Sequence, residues 1–399
     1  MKKRIKEMFF LAFVALLSSM TFLHADYKQG AQYFKQGKYV EAASEFQTEV
    51  DQAPNYDYGF YMLGMCYMML GKYDVSLNHF KKAIELSPDK FDYHNGLARL
   101  YLKQKKYFFV VDTLNSAASL ANTPEEKYQL YYARGLANAG QKKYPESIDD
   151  LKKAKQIRVD QTILEQLGKS CYQVDDFDCA MESLKEAVRM NANSHDANYY
   201  LSKSLIEKAK REKDKQKKRS LYTEAIAHAE KAVKLKPGDV ESMNLIAGAN
   251  FGAGNIDKAI EHFKEVIRIK PNHCWAMINI GKALIAQQKY QDAESWLDKA
   301  VKCDVQSAIA YQTLGYVLMK QEKLEQSLEA YQKANSLRPN PIIAESIERV
   351  KNNIEVREYN KKIAELEQKQ KELDEAEMQK YRELKEKVDA WKKKQEEAE

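Results

Sequence analysis

Helix breakers are scarce in this 399-residue chain, which has only 8 prolines and 15 glycines. Long stretches carry nothing to interrupt a helix, and a fold of many short strands joined by glycine- and proline-rich turns is excluded. Apolar runs are short as well. The stretch from Met8 to Phe22, broken by Ser18, Ser19 and Thr21, falls below the ~20 residues that a membrane-spanning helix requires. Histidine occurs seven times, never as an H-E-x-x-H pair and never beside cysteine at zinc-site spacing. No G-x-S-x-G or Walker sequence occurs. Gly248, Gly252 and Gly254 imitate a phosphate loop only loosely, because no strand precedes them. The expectation is a protein with no catalytic, metal-binding or cofactor site.

Excess charge is also small: 64 Lys and Arg against 58 Asp and Glu, a net of +6. Half of that excess sits at the start. Lys2, Lys3, Arg4 and Lys6 precede the apolar run, and Leu23, His24 and Ala25 offer a cleavage site before Asp26, so residues 1–25 read as a secretory signal peptide. The alternative is an uncleaved signal anchor. Cleavage removes four basic residues and one acid and leaves +3. No basic footprint for nucleic acid then remains beyond one local insert. No cysteine lies near the boundary for lipid attachment, and the expected location is periplasmic or secreted.

What the chain does contain is a 34-residue repeat. From Tyr67 and Tyr73, 34 residues back stand Tyr33 and Tyr39, and 34 residues forward stand Tyr101 and Tyr107; the same step separates Pro54 from Pro88 and Pro237 from Pro271. That period, with apolar residues at helical spacing, marks paired antiparallel helices stacked into a solenoid. Nine units can be placed, starting near Asp26 (truncated), Asp57, Phe91, Tyr128, Gln161, His195, Val240, Cys274 and Ala308. Mid-way along each first helix stands a small residue: Gly30, Gly64, Ala98, Gly135, Gly168, Ser202, Ala247, Gly281 and Gly315. Small residues there let helices approach closely. The facing place on the second helix is small too, from Ala42 and Ser76 through Ala293 and Ser327, with Val110 the exception. A larger wedge opens the second helix, as at Tyr39, Tyr73, Phe177 or Leu324, and prolines such as Pro88 and Pro271 end it.

In this order of small, aromatic, alanine and proline places the chain resembles the tetratricopeptide repeat (TPR) family. The resemblance covers about residues 26–340 and implies an all-α, right-handed superhelical solenoid. Two departures interrupt the register: about three extra residues near Asn122 to Glu125, and a basic insert at 211–219, REKDKQKKR, which reads either as a solvated helix extension or as a basic patch for an acidic partner. The resemblance further implies that first helices line a groove holding partner segments. Carried over place by place, the groove comprises Tyr58, Tyr61, Met65, Met68 and Met69, then Tyr132, Tyr172 and Tyr199, then Trp275, Ile278, Tyr316 and Met319. Aromatic and methionine side chains suit adaptable contact with protein or peptide. The lysine and asparagine set by which some relatives clamp a C-terminal carboxylate is not matched, since Tyr27, Ala31 and Met65 hold those places.

Five cysteines are an odd number for an oxidising compartment. Cys274 opens a first helix and Cys303 closes its second, so a helical hairpin brings both to one end; Cys171 and Cys179 flank a turn in the same way. Two disulfides are expected there, with Cys66 free. The alternative is five small core thiols in a reduced protein.

Past Pro341 the repeat register ends. Ile343, Ile347, Val350 and Ile354 form one apolar stripe, and 341–356 is expected to cap the last repeat. Residues 357–399 turn highly charged but keep Tyr359, Ile363, Leu366 and Leu373, then Tyr381, Leu384, Val388 and Trp391, at three-four spacing. That tail reads either as a weak coiled coil for self-association or as a lone helix held by ion pairs such as Glu358 with Lys362. Two functions compete: a non-enzymatic scaffold binding partner segments in the groove, and a structural rod acting through the tail.

Overall fold

The structure, a computed structural model, describes residues 29–396. The expected signal peptide and the opening of the first repeat lie outside the described residues. Among the described residues every regular element is helical, and no helix is long and apolar enough to cross a membrane.

The chain divides into two compact units at Pro237 and Gly238. Proline there lacks the N–H that would continue a helix, and Gly238 takes a left-handed φ of +83°. The first unit holds α1 (residues 29–35), α2 (Tyr39–Gln52), α3 (Asp57–Met69), α4 (Tyr73–Leu86), α5 (Phe91–Lys103), α6 (Tyr107–Ser116), α7 (Pro124–Gly140), α8 (Tyr144–Ile157), α9 (Gln161–Gln173), α10 (Phe177–Met190), α11 (His195–Arg211) and α12 (Lys215–Leu235). The second holds α13 (Val240–Ala253), α14 (Ile256–Ile269), α15 (Cys274–Ala286), α16 (Tyr290–Cys303), α17 (Ala308–Lys320), α18 (Leu324–Leu337) and α19 (Pro341–Glu396). From α3 to α18 each odd-numbered helix packs on the even-numbered one after it, a solenoid of helix pairs within each unit.

The small place on the first helix lies at the crossing. A Cβ built on Gly64 would meet Phe80 at 2.8 Å; on Gly168, Leu184 at 2.4 Å; on Gly281, Leu297 at 2.7 Å. Sixteen residues after each of these glycines stands a large buried side chain that fills the notch, a place the repeat pattern did not disclose. The crossing is close enough for the facing small residue to reach backbone. Ser76 Oγ donates to the Gly64 carbonyl at 2.6 Å and Ser327 Oγ to that of Gly315 at 2.7 Å.

Seven residues past the small place, the turn inside each pair enters the left-handed region. Glycine occupies it at Gly37, Gly71 and Gly254, whereas Lys105, Lys142, Asp175, Gln288 and Glu322 adopt φ of 57–61°. The pair formed by α11 and α12 lacks this turn. Its insert instead lengthens both helices, and the break narrows to residues 212–214, with Asp214 capping α12 through the Lys217 amide.

Two expected boundaries differ. The fourth pair begins at Pro124 rather than Tyr128, because Thr123 and Glu126 form a reciprocal capping box with proline at the first helical position. The tail is one uninterrupted helix, α19, from Pro341 to Glu396, with no break at residue 356. Ile343, Ile347, Val350 and Ile354 pack on Tyr331, Leu324 and Ala334 of α18, and from residue 355 to 395 every side chain is exposed.

Candidate partner-binding face

First helices touch each other along the first unit, α3 with α5, α5 with α7, α7 with α9 and α9 with α11, and α15 touches α17 in the second. Each unit thus presents a wall of first helices.

The wall begins with tyrosines. Tyr58 and Tyr61 are half-buried with ring centroids 5.9 Å apart, and Tyr61 stacks on Tyr93 at 5.1 Å. Asp57 accepts from Lys90 Nζ at 2.6 Å and from the Tyr93 hydroxyl at 3.0 Å. Burial works against the Asp57 carboxylate, but hydrogen bonds from Lys90, Ser87, Tyr93 and the Tyr58 amide together bring it down to about 2.

Between α5 and α7 lies a cleft of about 400 Å³ lined by Tyr128, Tyr132, Arg99 and Lys103. Its floor satisfies itself. Asn95 donates to Gln129 at 2.6 Å, Arg158 pairs with Glu125 at 3.0 Å and lies 3.5 Å over the Tyr128 ring, and the Tyr128 hydroxyl donates to Asp160 at 2.5 Å. Tyr132 stacks on Tyr128 at 5.9 Å, and burial, with Tyr128, Asp160 and Glu165 nearby, pushes its hydroxyl up to about 12. Among the described residues Arg99 and Lys103 meet no carboxylate within 4 Å.

Further along, Lys203 Nζ lies 4.7 Å from the Tyr172 ring, 5.8 Å from Tyr199 and 5.9 Å from Tyr200. No described carboxylate pairs with it, and burial lowers its pKa against the opposing pull of Glu207. Lys169 sits 5.3 Å over Tyr200 and pairs with Asp196 at 2.6 Å. Arg99, Lys169 and Lys203 share one register place, directly after the small residue of the helix. That row of cations among tyrosines escaped the sequence reading, although the 34-residue spacing would have displayed it. In the second unit Lys282 holds the same place, 5.4 Å over the exposed Trp275 ring, with burial lowering its pKa.

Three expected groove residues are not on the surface. Met65 is 7% exposed and Met68 1%, both in a core cluster with Phe80, Leu97 and Leu100; Ile278 is 1% exposed beneath Trp296 and Ile309. Helices α3 and α15 are apolar on nearly every face, so periodicity could not separate wall from core. Tyr58, Tyr61, Tyr132 and Tyr199 are half-buried, and Trp275 and Tyr316 are exposed.

The structure joins Cys274 to Cys303, with Cα atoms 5.5 Å apart, and Cys171 to Cys179, with Cα atoms 5.9 Å apart. Cys66 is free and fully buried. Among the described residues Cys171, Asp176 and Cys179 are the one grouping of potential metal ligands. With its sulfurs bonded to each other it offers no thiolate. The nearby cleft of about 400 Å³ is lined by charges already paired, Lys208 with Asp178 at 2.6 Å and Arg211 with Asp175 at 2.8 Å.

Family profiles described as tetratricopeptide or TPR repeats match residues 64–105, 216–273, 250–315 and 308–341. Similar solved structures include a tetratricopeptide repeat protein from Parabacteroides merdae, 16% identical, with a TM-score of 0.50 over 65% of this chain and 98% of its own. The C-terminal part of a TPR repeat-containing protein from Cytophaga hutchinsonii is 17% identical, with a TM-score of 0.48 over 65% of this chain and 99% of its own. MamA from Desulfovibrio magneticus is 18% identical, with a TM-score of 0.40 over 45% and 95%. At these identities the likeness concerns the fold.

Proposed function

We propose that this chain, which belongs to the tetratricopeptide-repeat family, is a non-enzymatic scaffold of the periplasm or cell envelope that captures protein segments on its first-helix wall. The observation that carries this reading is the row Arg99, Lys169 and Lys203 set among Tyr132, Tyr172, Tyr199 and Tyr200. Within that row Lys203, held against aromatic faces without a described carboxylate, is desolvated but not neutralised, and an incoming carboxylate relieves that. The fitting partner is therefore an extended, acidic segment with apolar side chains for the tyrosine faces. Hydrogen bonds and ring contacts fix orientation there. The location rests on the basic-apolar start of the sequence and on the two cysteine pairs.

The test is in-cell crosslinking from a photoreactive residue placed at Tyr132 and, separately, at Trp275, with Val40 on α2 as the control. Capture of an acidic protein from each wall position and not from Val40 is expected, and Lys203→Glu should abolish capture at Tyr132. Identical crosslinks from all three positions would refute the wall as the working face.

The rival reading, a structural rod, is favoured by one observation. Among the described residues, ten of the twenty-five large apolar side chains that stand exposed lie on α19 beyond residue 355.

A further inference from the structure

The exposed part of α19 has a pattern that selects its own partner. After Arg357, which pairs with Glu325 at the start of α18, the helix runs free of the solenoid to Glu396, roughly 60 Å for forty residues. Helices in water draw most of their stability from a packed apolar face, and among the described residues nothing lies against this one's apolar face. Val356, Ile363 and Gln370 occupy alternate stripe places (a), and Tyr359, Leu366 and Leu373 the places between (d). Tyr359, Leu366 and Leu373 are each more than 60% exposed, Val356 is 58% exposed and Ile363 36%. β-Branched residues at a with leucine at d favour two parallel strands, and one polar residue at a fixes their register.

We propose that residues 356–373 of α19 form a parallel two-stranded coiled coil with a second copy of this chain. Charge complementarity identifies the occupant. Beside the stripe, Lys362 and Lys369 precede the next a residue (g), while Glu367 and Asp374 follow a d residue (e). In a parallel pair each g residue meets the e residue five positions on in the other helix. Lys362 then meets Glu367 and Lys369 meets Asp374, and symmetry doubles both. An antiparallel pair sets lysine against lysine and acid against acid over the same stretch. Gln370 now donates to Asp374 of its own helix at 2.8 Å, and in the pair it turns to the facing Gln370. After Leu373 two four-residue steps lead through Glu377 to Tyr381, a local eleven-residue spacing that straightens the seam. Beyond it Lys385, Lys387, Lys392 and Lys394 hold the flanking places, and their repulsion confines the stable pairing to the first half.

The experiment is sedimentation equilibrium on the full chain, with variants confined to a segment that touches nothing else in the structure. Wild type should be dimeric at micromolar concentration, and the pair Ile363→Glu and Leu366→Glu monomeric with an unchanged thermal melt of the repeats. Lys362→Glu with Lys369→Glu should weaken the dimer roughly tenfold or more, and adding Glu367→Lys with Asp374→Lys should restore it. Ile363→Cys and Gln370→Cys, made separately, should each oxidise to a self-crosslinked dimer, because a parallel pair brings both places opposite their copies. A monomeric wild type, a dimer indifferent to the glutamates, or self-crosslinking at only one position overturns the proposal. None of these variants touches the first-helix wall, so failure here leaves partner capture intact, and failure of capture leaves the dimer intact.

Discussion

The same substitution, glycine to alanine within a helix, should change stability in opposite directions at two places in the second unit. Gly281 in α15 faces Leu297, and an added Cβ would fall 2.7 Å from its Cγ and 2.8 Å from Cδ2. Cγ is the branch point of a fully buried side chain, so the methyl cannot be accommodated by swinging a flexible tip aside. Overpacking of this kind costs about 1–3 kcal/mol, and the better helix propensity of alanine returns about 1 kcal/mol. The expected result for Gly281→Ala is a net loss of up to about 2 kcal/mol. Gly248 in α13 has no atom within 4 Å of its added Cβ, so Gly248→Ala should gain about 0.5–1 kcal/mol from propensity alone. Urea unfolding followed by tryptophan fluorescence suits both, because Trp275 and Trp296 stand in α15 and α16. The urea midpoint should fall for the first variant and rise for the second. Leu297→Ala alone should lose about 2–5 kcal/mol, and the double variant less than the sum, because the new methyl refills part of the cavity. If Gly281→Ala stabilises as Gly248→Ala does, the two helices do not approach closely at that glycine and the crossing argument fails.

Denatured without reductant, the protein purified from its native compartment should show one titratable thiol, Cys66, and five after reduction; five at the outset would refute both pairs. Opening Cys274–Cys303, 29 residues apart in sequence, should lower unfolding stability by roughly 3–4 kcal/mol. Gly71→Ala should lose about 1–2 kcal/mol, because Gly71 holds φ of +74° in open space and only backbone strain is added; a neutral result would show that the turn relaxes. Asp57 is depressed from 3.8 to about 2, so its stabilisation is complete above pH 4 and is lost as pH falls through 2. After allowance for solvent screening, Asp57→Asn should remove about 1–2 kcal/mol at pH 7 and nothing at pH 1.5, as read from denaturant midpoints at each pH.

Much of this fold was legible because a repeat averages out local noise. One glycine inside a helix says little, but Gly64, Gly168, Gly281 and Gly315 at one register place mark a steric need. The left-handed turn was hidden for the opposite reason. Only Gly37, Gly71 and Gly254 advertise it, while Lys105, Lys142, Asp175, Gln288 and Glu322 bear the strain without any compositional sign. The buried partner of each glycine was hidden by its variety, Phe80 in one pair, Leu184 in another and Tyr331 in a third. On the wall, tyrosines whose hydroxyls need solvent or a partner stay half-buried, as Tyr58, Tyr61, Tyr132 and Tyr199 do, and so reach the surface as expected. Met65 and Met68 do not, because an unbranched thioether follows the nearest apolar gap, here the space beside Phe80 and Leu97. The row Arg99, Lys169 and Lys203 was missed because lysine and arginine on a charged chain read as solvation until their neighbours prove to be aromatic.

Cys66 has a chemical consequence of its own. Its sulfur is sealed from solvent, and burial pushes the thiol up to about 12, so at neutral pH almost none of it is the reactive thiolate. The odd sulfhydryl is therefore chemically silent: it will neither scramble the existing cross-links nor tether one molecule to another while the helices around it stay packed. Dyes or spin probes that attack thiols will find only cysteines introduced elsewhere, so the native sequence is ready for site-directed labelling without first removing any of its own.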